Sequence, residues 1–448
     1  MRSEWQTVEI SSICEGIFDG PHATPKKTDT GPIFLGISSL SSGRLDLSSV
    51  EHLSEDDFAK WTKRVVPAEG DIVFSYETRL GEVAMIPSGL RCCLGRRMAL
   101  MRVDRRKAIP EYLLYAYMSP AFQEVIRART IHGSTVDRLP LTDFGSFRIP
   151  VPSLGTQRAI TSTLRALDDR ITLLRETNAT LEAVAQALFK SWFVDFDPLR
   201  AKMAGRAPEG MDEATAALFP SDLTATEFGD LPAGWEMKPL SDVVEGVYDG
   251  PHATPAEADA GPVFLGIKNL TGTALDLSDI RHIAESDWSR WTRRVIPQAS
   301  DIVFSYEATL GFFALIPPGL RCCLGRRLAL IRPRLQLGAP HFWLHQFTAA
   351  PFQRLLQKHT IQGATVNRIA LKEFPSYCVL SPPRGVQLAF DERAASLWAR
   401  IHANQAQAQT LTTLRDTLLP RLISGQLRLP LADTPPAIAP PARSPAPV

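Results

Sequence analysis

Residues 157–192, QRAITSTLRALDDRITLLRETNATLEAVAQALFKSW, decide the fold of this 448-residue chain. Their apolar positions alternate steps of four and three, which places them on one seam of a long helix. The seam residues are Ile160, Leu164, Leu167, Ile171, Leu174, Asn178, Leu181, Ala185, Leu188 and Trp192. No Pro or Gly interrupts the stretch. At about 1.5 Å per residue the helix is roughly 50 Å long, so it needs a partner of similar length.

A second stretch, from Phe390 onward, supplies that partner. Its seam residues are Ala394, Leu397, Ile401, Asn404, Ala408, Leu411 and Leu418, with Arg415 as the one charged interruption. A polar Asn in a seam costs stability but fixes register, so we predict an antiparallel pair with Asn178 opposite Asn404. The same register pairs Ile171 with Leu411 and Leu181 with Ile401. The alternative, two helices packed separately on globular cores, leaves their length unexplained.

The composition predicts a globular protein of two or three domains, with 44% apolar and 22% charged residues. We find no apolar run long enough to span a bilayer and no leader pattern, and we expect a cytoplasmic protein without membrane contact. The six cysteines are Cys14, Cys92, Cys93, Cys322, Cys323 and Cys378. They lack the C-x-x-C spacing of zinc or redox sites, so we interpret them as reduced, buried strand residues. A net charge of +1 neither demands nor excludes a nucleic-acid partner.

The chain is an internal duplication. Trp5 matches Trp235, and the two copies align from there at a constant offset of 230 residues. Three segments of the first copy recur unchanged in the second: 19–25, 71–77 and 89–97. Such identity over separate segments excludes chance, and it makes the repeat the basis of the fold.

Each copy has short strand-like runs, which in the first copy are residues 32–37, 71–76, 83–86, 98–103 and 147–151. Helical patterns lie at 58–61 and 111–129. We therefore predict an α+β fold in which two tandem α/β modules are separated by two long antiparallel coiled-coil helices, related by a pseudo-twofold axis. The predicted segments are a first module at 1–152, a first long helix at 153–194, a connector at 195–233, a second module at 234–383, a second long helix at 384–424 and a Pro-rich disordered tail at 425–448.

Two similar modules related by a pseudo-twofold axis suit double-stranded DNA, which has local twofold symmetry. Such a chain can set one module on each half of a split site, with the helices fixing the spacing. The sequence contains no phosphate-binding loop, dinucleotide fingerprint or methyltransferase motif ending in an aromatic residue. Glu236 and Lys238 weakly suggest a nuclease, but the matching Gln6 and Val8 lack both groups.

This plan resembles the specificity (S) subunit of type I restriction-modification enzymes. The resemblance also rests on residues 157–198, on LLPRLISGQL at 418–427 and on LPAGWE at 231–236. It implies that each module is a target-recognition domain, and that the helices dock two DNA methyltransferase (M) subunits. A restriction (R) subunit is an optional further partner. It also implies a chain without catalysis or cofactor, with S-adenosylmethionine, ATP and Mg expected only on partner subunits.

Candidate DNA contacts follow from side chains that suit phosphates or base edges. Those of the first copy are His22, Lys26, Lys27, Tyr76, Arg79, Arg96, Arg97, His132, Gly133, Ser134, Thr135 and Arg138. Those of the second are His252, Lys268, Asn269, Tyr306, Arg326, Arg327, Gln362, Gly363, Thr365 and Arg368. For the arginine pairs the alternative is a solvated strand flank, for the histidines a hydrogen-bonded turn, and for the tyrosines a cap on the module. No metal site is predicted.

Differences between the copies should mark the surfaces that face different bases. They include Lys26-Lys27 against Ala256-Glu257, Ser38-Ser39 against Lys268-Asn269, Thr78-Arg79 against Ala308-Thr309, and His132 against Gln362. Because most other changes are conservative, we predict a bipartite site with nearly palindromic halves.

Two competing functions remain at this stage. One is a scaffold that uses the helices and modules for protein partners, and it predicts no salt-dependent DNA affinity. The other is an enzyme with twin active sites, which the absence of a coherent catalytic constellation disfavours. The recognised bases, the spacer length, the presence of a nuclease partner and the choice of base-contacting positions do not follow from the sequence.

Overall fold

The computed structural model describes residues 5–133, 136–334, 338–363 and 365–430. It divides into two compact units, Met1–Thr172 with Thr410–Val448 (unit 1) and Leu173–Gln409 (unit 2). Each unit combines small sheets with helices, and the two long helices contribute to both. The predicted α+β class with two modules and two long helices is confirmed.

Unit 1 is built on a four-stranded sheet and a three-stranded sheet. Its strands are β1 (Gln6–Glu9), β2 (Cys14–Asp19), β3 (Lys27–Leu35), β4 (Leu40–Ser41), β5 (Arg44–Leu45), β6 (Glu51–Leu53), β7 (Ile72–Ser75), β8 (Val83–Met85), β9 (Cys92–Leu94), β10 (Met98–Val103) and β11 (Arg148–Val151). Its helices are α1 (Ile10–Ile13), α2 (Glu55–Trp61), α3 (Pro110–Met118), α4 (Pro120–Arg129), α5 (Leu141–Phe144) and the first part of α6 (Leu154–Phe193). The sheets have the orders β2-β10-β7-β8, β6-β3-β9, β1-β11 and β4-β5.

Unit 2 repeats this plan and adds a leading segment. Its helices are the rest of α6, α7 (Asp197–Met203), α8 (Glu213–Ala217), α9 (Leu240–Val243), α10 (Trp288–Trp291), α11 (Pro340–Thr348), α12 (Ala350–Lys358) and most of α13 (Arg384–Ile423). Its strands are β12 (Leu223–Thr226), β13 (Gly229–Pro232), β14 (Glu236–Pro239), β15 (Val244–Asp249), β16 (Ala258–Leu265), β17 (Arg281–His282), β18 (Ile302–Ser305), β19 (Phe313–Leu315), β20 (Cys322–Leu324), β21 (Leu328–Pro333), β22 (Thr360–Ile361), β23 (Arg368–Ile369) and β24 (Cys378–Ser381). The main sheets are β15-β21-β18-β19 and β17-β16-β20.

Within unit 2 the long helices pair antiparallel in the predicted register. Asn404 donates from Nδ2 to Asn178 Oδ1 at 2.9 Å, and Asn178 Nδ2 donates to the Ile401 carbonyl at 3.3 Å. The predicted contact of Asn178 with Asn404 is therefore confirmed. Leu181, Leu397 and Leu411 are only half-buried, whereas Ile401 is fully buried. The side-chain amide groups of Asn178 and Asn404 each donate a hydrogen bond at this contact, so the seam can bury both polar side chains.

Within unit 1 the same two helices meet again. Asp168 and Arg415 form an ion pair at 2.8 Å, which explains how the seam tolerates a charge at position 415. Ile160 and Leu164 share the core of this unit with Leu422. The other predicted seam residues on α6 divide by burial, with Ile171 and Leu174 buried and Leu167 half-buried. The opposition of Ile171 to Leu411 stays a prediction.

Each module is joined to its helix by a polar contact, and the two contacts differ. In unit 1 the Tyr115 hydroxyl donates to Asp168 Oδ2 at 2.6 Å. In unit 2 the equivalent pair is His345 and Trp398, and the indole Nε1 donates to His345 Nε2 at 3.2 Å. The two repeats therefore use the same positions with different chemistry.

Several local predictions were wrong. Residues 111–129 form two helices, because Pro120 begins α4 and Ser119 caps it. Residues 195–233 are more than a connector, since they form α7, α8 and the β12–β13 hairpin, with Phe219 buried in the core of unit 2. Cys14 and Cys378 are half-buried, although the four paired cysteines are buried strand residues as predicted.

The predicted disordered tail is wrong for its first residues. Leu427 and Leu429 pack against the core of unit 1, and the Leu427 amide donates to the Arg421 carbonyl at 2.9 Å. These contacts order residues 425–430. The remainder of the predicted tail, 431–448, lies outside the described residues.

Acid should destabilise unit 2 through His345. Burial, together with the neighbouring His341, lowers the pKa of His345 to about 3, whereas an unfolded imidazole titrates near 6.5. The unfolded state therefore binds the extra proton first, so the stabilising contribution is complete above about pH 6.5 and is lost as the pH falls toward 3. The maximum slope is about 1.4 kcal/mol per pH unit. Urea unfolding at pH 7, 6, 5 and 4, followed by Trp fluorescence, measures it.

His345→Gln is the matched variant, since Gln does not titrate. It should flatten the pH dependence, while His402, whose pKa is also lowered by burial, is present in both proteins. An unchanged slope in the variant would assign the acid sensitivity to other groups.

Candidate DNA interface

One end of the four-stranded sheet in each module gathers most of the predicted contacts. Strand β2 ends at Asp19, its antiparallel neighbour β10 begins at Met98, and β7 on the far side of β10 ends at Ser75. Because neighbouring strands of this sheet run antiparallel, the ends of β2 and β7 and the start of β10 lie at the same edge of the sheet. The loops at these strand ends define what we call the sheet-end surface: residues 19–22, 64, 77–78, 96–97, 131–133 and 136–138, and in unit 2 residues 249–252, 294, 307–308, 326–327, 361–363 and 365–368.

Asp19 is the centre of a polar cluster on this surface. Its carboxylate accepts from the Tyr76 hydroxyl at 2.8 Å and lies 2.7 Å from His22 Nε2. Arg64 Nη1 contacts the same carboxylate at 3.4 Å and donates to the Gly20 carbonyl at 3.2 Å. Unit 2 repeats the cluster at Asp249, with 2.8 Å to Tyr306, 2.7 Å to His252 and 3.2 Å to Arg294.

The cluster corrects one prediction and selects between alternatives for another. Tyr76 is only 6% exposed, and burial, reinforced by the bond to Asp19, raises the pKa of its phenol. Tyr76 and the equally buried Tyr306 are therefore structural residues and not exposed base contacts. His22 and His252 are hydrogen-bonded turn residues with exposed rings, which is the alternative given for them above.

The two arginines before β10, Arg96 and Arg97, differ in their surroundings. Arg97 adopts a positive φ of 72° and its Nε lies 3.1 Å from Glu77 Oε2, so this guanidinium is held within the module. Arg96 is exposed, and its side chain has no ion-pair partner among the residues that the structure describes. Gly95 permits the turn, because a Cβ there would meet the Leu35 carbonyl oxygen at 2.1 Å. Arg326 and Arg327 repeat the arrangement, with φ of 75° at Arg327.

The predicted Gly-containing loop borders the arginines. The Thr78 amide donates to the Asp137 carbonyl at 3.1 Å, and Arg138 forms a bridge with Glu77. His132, Gly133 and Arg138 are exposed, whereas Ser134 and Thr135 lie outside the described residues. In unit 2 the equivalent loop joins β22 to β23. Its exposed residues include Gln362, Gly363, Thr365 and Arg368.

The other predicted contacts are engaged elsewhere in the modules. Lys27 pairs with Glu51, Arg79 with Glu82 at 2.9 Å, and Lys268 with Asp279 at 2.5 Å. Lys26 is exposed. Asn269 was wrongly predicted to contact DNA: it is 2% exposed, and its amide donates to the carbonyls of residues 276 and 279.

Sequence reasoning missed Arg64 and Arg294. Both are exposed and anchored at the sheet end, beside a second basic residue that is Lys63 in one copy and Arg293 in the other. The signal was available, since two adjacent cations recur at the same offset in both copies. Their position beside Asp19 could not be read from the sequence, because it depends on a contact across 45 residues.

The described part of the chain contains neither a metal-binding group of side chains nor a membrane-spanning helix. Within residues 5–133, 136–334, 338–363 and 365–430, no group of three His, Cys, Asp or Glu side chains is placed to hold a metal ion. Over the same residues, none of the helices combines the length and apolar character needed to cross a membrane.

Comparison with known proteins points to one family. Residues 2–183 match the family model described as the type I restriction modification DNA specificity domain. The type I restriction enzyme MjaIX specificity subunit of Methanocaldococcus jannaschii is 25% identical over 385 residues, which are 84% of this chain and 82% of that protein. The HindI specificity subunit of Haemophilus influenzae is 24% identical over 364 residues, 71% of this chain and 78% of that protein.

A solved structure supports the fold independently. The type I restriction-modification system S subunit from M. genitalium matches with a TM-score of 0.54 and 16% identity, covering 94% of this chain and 96% of that chain. At this identity the match speaks for the fold alone. Together with the sequence matches, it confirms the resemblance drawn from the repeat and the long helices. Residues 2–183 of this chain therefore match a type I restriction modification DNA specificity domain, and over most of its length the chain is similar to specificity subunits of type I restriction enzymes.

Proposed function

We propose that this chain is the DNA sequence-specificity subunit of a type I restriction-modification complex. Each sheet-end surface reads one half of a bipartite site. The observation that carries this is the duplicated surface itself, since both modules expose an arginine at the same strand entrance, Arg96 and Arg326, beside the same anchored Arg64 and Arg294. Exposed guanidinium groups bind phosphates and guanine edges.

The long helices have two roles in this proposal. They fix the spacer between the two half-sites, and they dock two DNA methyltransferase subunits. The MjaIX and HindI relatives are both named specificity subunits of type I restriction enzymes, which supports this assembly. A restriction subunit is an optional further partner, and the complex works in the cytoplasm on the DNA of the cell.

The chain itself contributes recognition and no chemistry. S-adenosylmethionine, ATP and Mg act on the partner subunits. The side chains at the sheet end support this division, because the Asp19 carboxylate is occupied by Tyr76, Arg64 and His22, and Glu77 is occupied by Arg97. These carboxylates serve the architecture of the loops that present the arginines.

The test is single-molecule sequencing for modified bases in DNA from cells that express the methyltransferase subunit with or without this chain. We expect a split motif with nearly inverted halves to be methylated only when the chain is present. If no motif depends on it, the proposal fails and the chain is better explained as a scaffold. Two unrelated half-sites would uphold the recognition role but overturn the near-palindrome.

A further inference from the structure

Several substitutions that distinguish the two modules fall on residues that form an ion pair in one of the modules. Lys27 forms an ion pair with Glu51, and the equivalent positions of the second module hold Glu257 and Arg281, with the charges reversed. Both members of the pair therefore changed together. Lys27 differs from Glu257 together with the residue that Lys27 contacts across β3 and β6, so this difference requires no difference in the DNA.

Two further pairs follow the same pattern, and one single substitution also alters a contact inside the module. Arg79 pairs with Glu82, and both are replaced in the second module, by Thr309 and Phe312. In the other direction, Lys268 pairs with Asp279 where the first module has Ser38 and Ser49. The Thr78 hydroxyl accepts from Arg97 Nη1 at 3.1 Å, so its change to Ala308 also alters a contact inside the module.

The sheet-end surface itself is almost unchanged between the modules. The exposed or charged residues that both copies share there are His22, Arg64, Glu77, Arg96, Arg97 and Arg138, which match His252, Arg294, Glu307, Arg326, Arg327 and Arg368. Lys26 has no equivalent cation, but a flexible lysine contacts phosphates of any sequence and does not discriminate bases. Identical side chains on an equivalent framework select identical base pairs.

Besides Thr78, whose contact inside the module is described above, one exposed pair on this surface does differ. His132 Nδ1 lies 3.1 Å from Asp137 Oδ1, and the two side chains are 79% and 47% exposed. The second module has Gln362 and Asn367 at these positions, so an imidazole and a carboxylate are replaced by two amides. Ser134, which also differs, lies outside the described residues. The backbone framework is shared, because the residue 137 carbonyl accepts from the Thr78 amide and the Asn367 carbonyl from the Ala308 amide.

From this, and resting on the proposed function, we infer that the two half-sites share one base sequence except at the bases that two residues in each module contact. These residues are His132 and Asp137 in the first module and Gln362 and Asn367 in the second. These four residues determine the difference in specificity between the modules. The chemistry differs in a definite way: a carboxylate only accepts, as from the cytosine N4 amino group, whereas Gln and Asn both donate and accept and can contact adenine N7 and N6 together.

Replacing the two residues of one module by their counterparts from the other module tests this inference. In cells that also express the methyltransferase subunit, the double variant H132Q/D137N should convert the methylated motif into an exact palindrome of the half read by the second module. The reciprocal variant Q362H/N367D should give a palindrome of the other half. Methylation of the original motif should fall by about tenfold or more in both, as expected for loss of one base-specific contact. The control K27E/E51R, which copies the internal charge reversal, should keep the original motif.

The outcomes separate this inference from the proposed function. Absence of any motif that depends on the wild-type chain means that the proposed function fails. A dependent motif that stays unchanged in both exchange variants overturns the inference alone. The inference is also overturned if an exchange variant loses all methylation while its melting temperature equals that of the wild type. The exchanged residues already function in the other module, so they should support recognition. The reciprocal pair guards against misfolding of one variant.

Discussion

Replacing Arg96 and Arg326 together with alanine should lower the affinity of the assembled methyltransferase complex for its DNA site by about 10- to 100-fold near 0.15 M salt. The two guanidinium groups are exposed at the same strand entrance in each module, and their side chains have no ion-pair partner in the described part of the chain. If they contact phosphates, the slope of log K against log [salt] should become shallower by about 2. Fluorescence anisotropy with a labelled duplex at several salt concentrations measures both quantities.

Arg91 and Arg321 provide the matched control. They are exposed and recur at the same offset, but each binds a glutamate, with Arg91 Nη2 2.6 Å from Glu55 Oε2 and Arg321 Nη2 2.5 Å from Glu285 Oε1. The variant R91A/R321A removes the same charge and should change DNA affinity only a few-fold. Equal losses in the two double variants would show that net charge, and not the sheet-end surface, governs binding.

Phe390→Ala should cost unit 2 about 3–5 kcal/mol of unfolding free energy. The ring is fully buried where α13 meets the module, and it packs on Phe189 at 5.4 Å and on Phe193 at 5.4 Å between ring centroids. Truncation leaves a cavity among aromatic side chains that cannot collapse easily. Six of the eight tryptophans lie in Leu173–Gln409, so Trp fluorescence during urea unfolding reports mainly on this unit.

Leu388→Ala on the same helix is the control, because its side chain is partly exposed and contributes far less core contact. It should cost under about 1 kcal/mol. If both variants lose the same amount of free energy, helix propensity and not aromatic packing sets the stability of this junction.

The parts of the fold that sequence reasoning anticipated are those with a strong period or an internal copy. Helices α6 and α13 follow from heptad seams in which Arg415 is the one charged interruption, and the contact of Asn178 with Asn404 follows from the polar Asn in each seam. Both signals lie within one stretch of chain and depend on local geometry.

The errors arise where long-range contacts decide. Tyr76 looked like an exposed contact because its partner, Asp19, lies 57 residues earlier in the chain. Asn269 looked like a base reader because its two carbonyl partners belong to a later loop. Phe219 orders a stretch rich in Pro, Gly and Ala by filling a core that forms only in the folded unit. Tertiary packing overrides composition in each case.

The different bonds that tie each module to its helix limit how the gene can be reshuffled. A recombination event that exchanged the modules but left the helices in place would carry Lys27 with Glu51, and Arg79 with Glu82, because each pair belongs to one module. It would place His345 against Asp168 and leave Trp398 without its imidazole acceptor. Such an exchange therefore removes one buried hydrogen bond from unit 2 unless the helix segment that carries Trp398 moves together with the module.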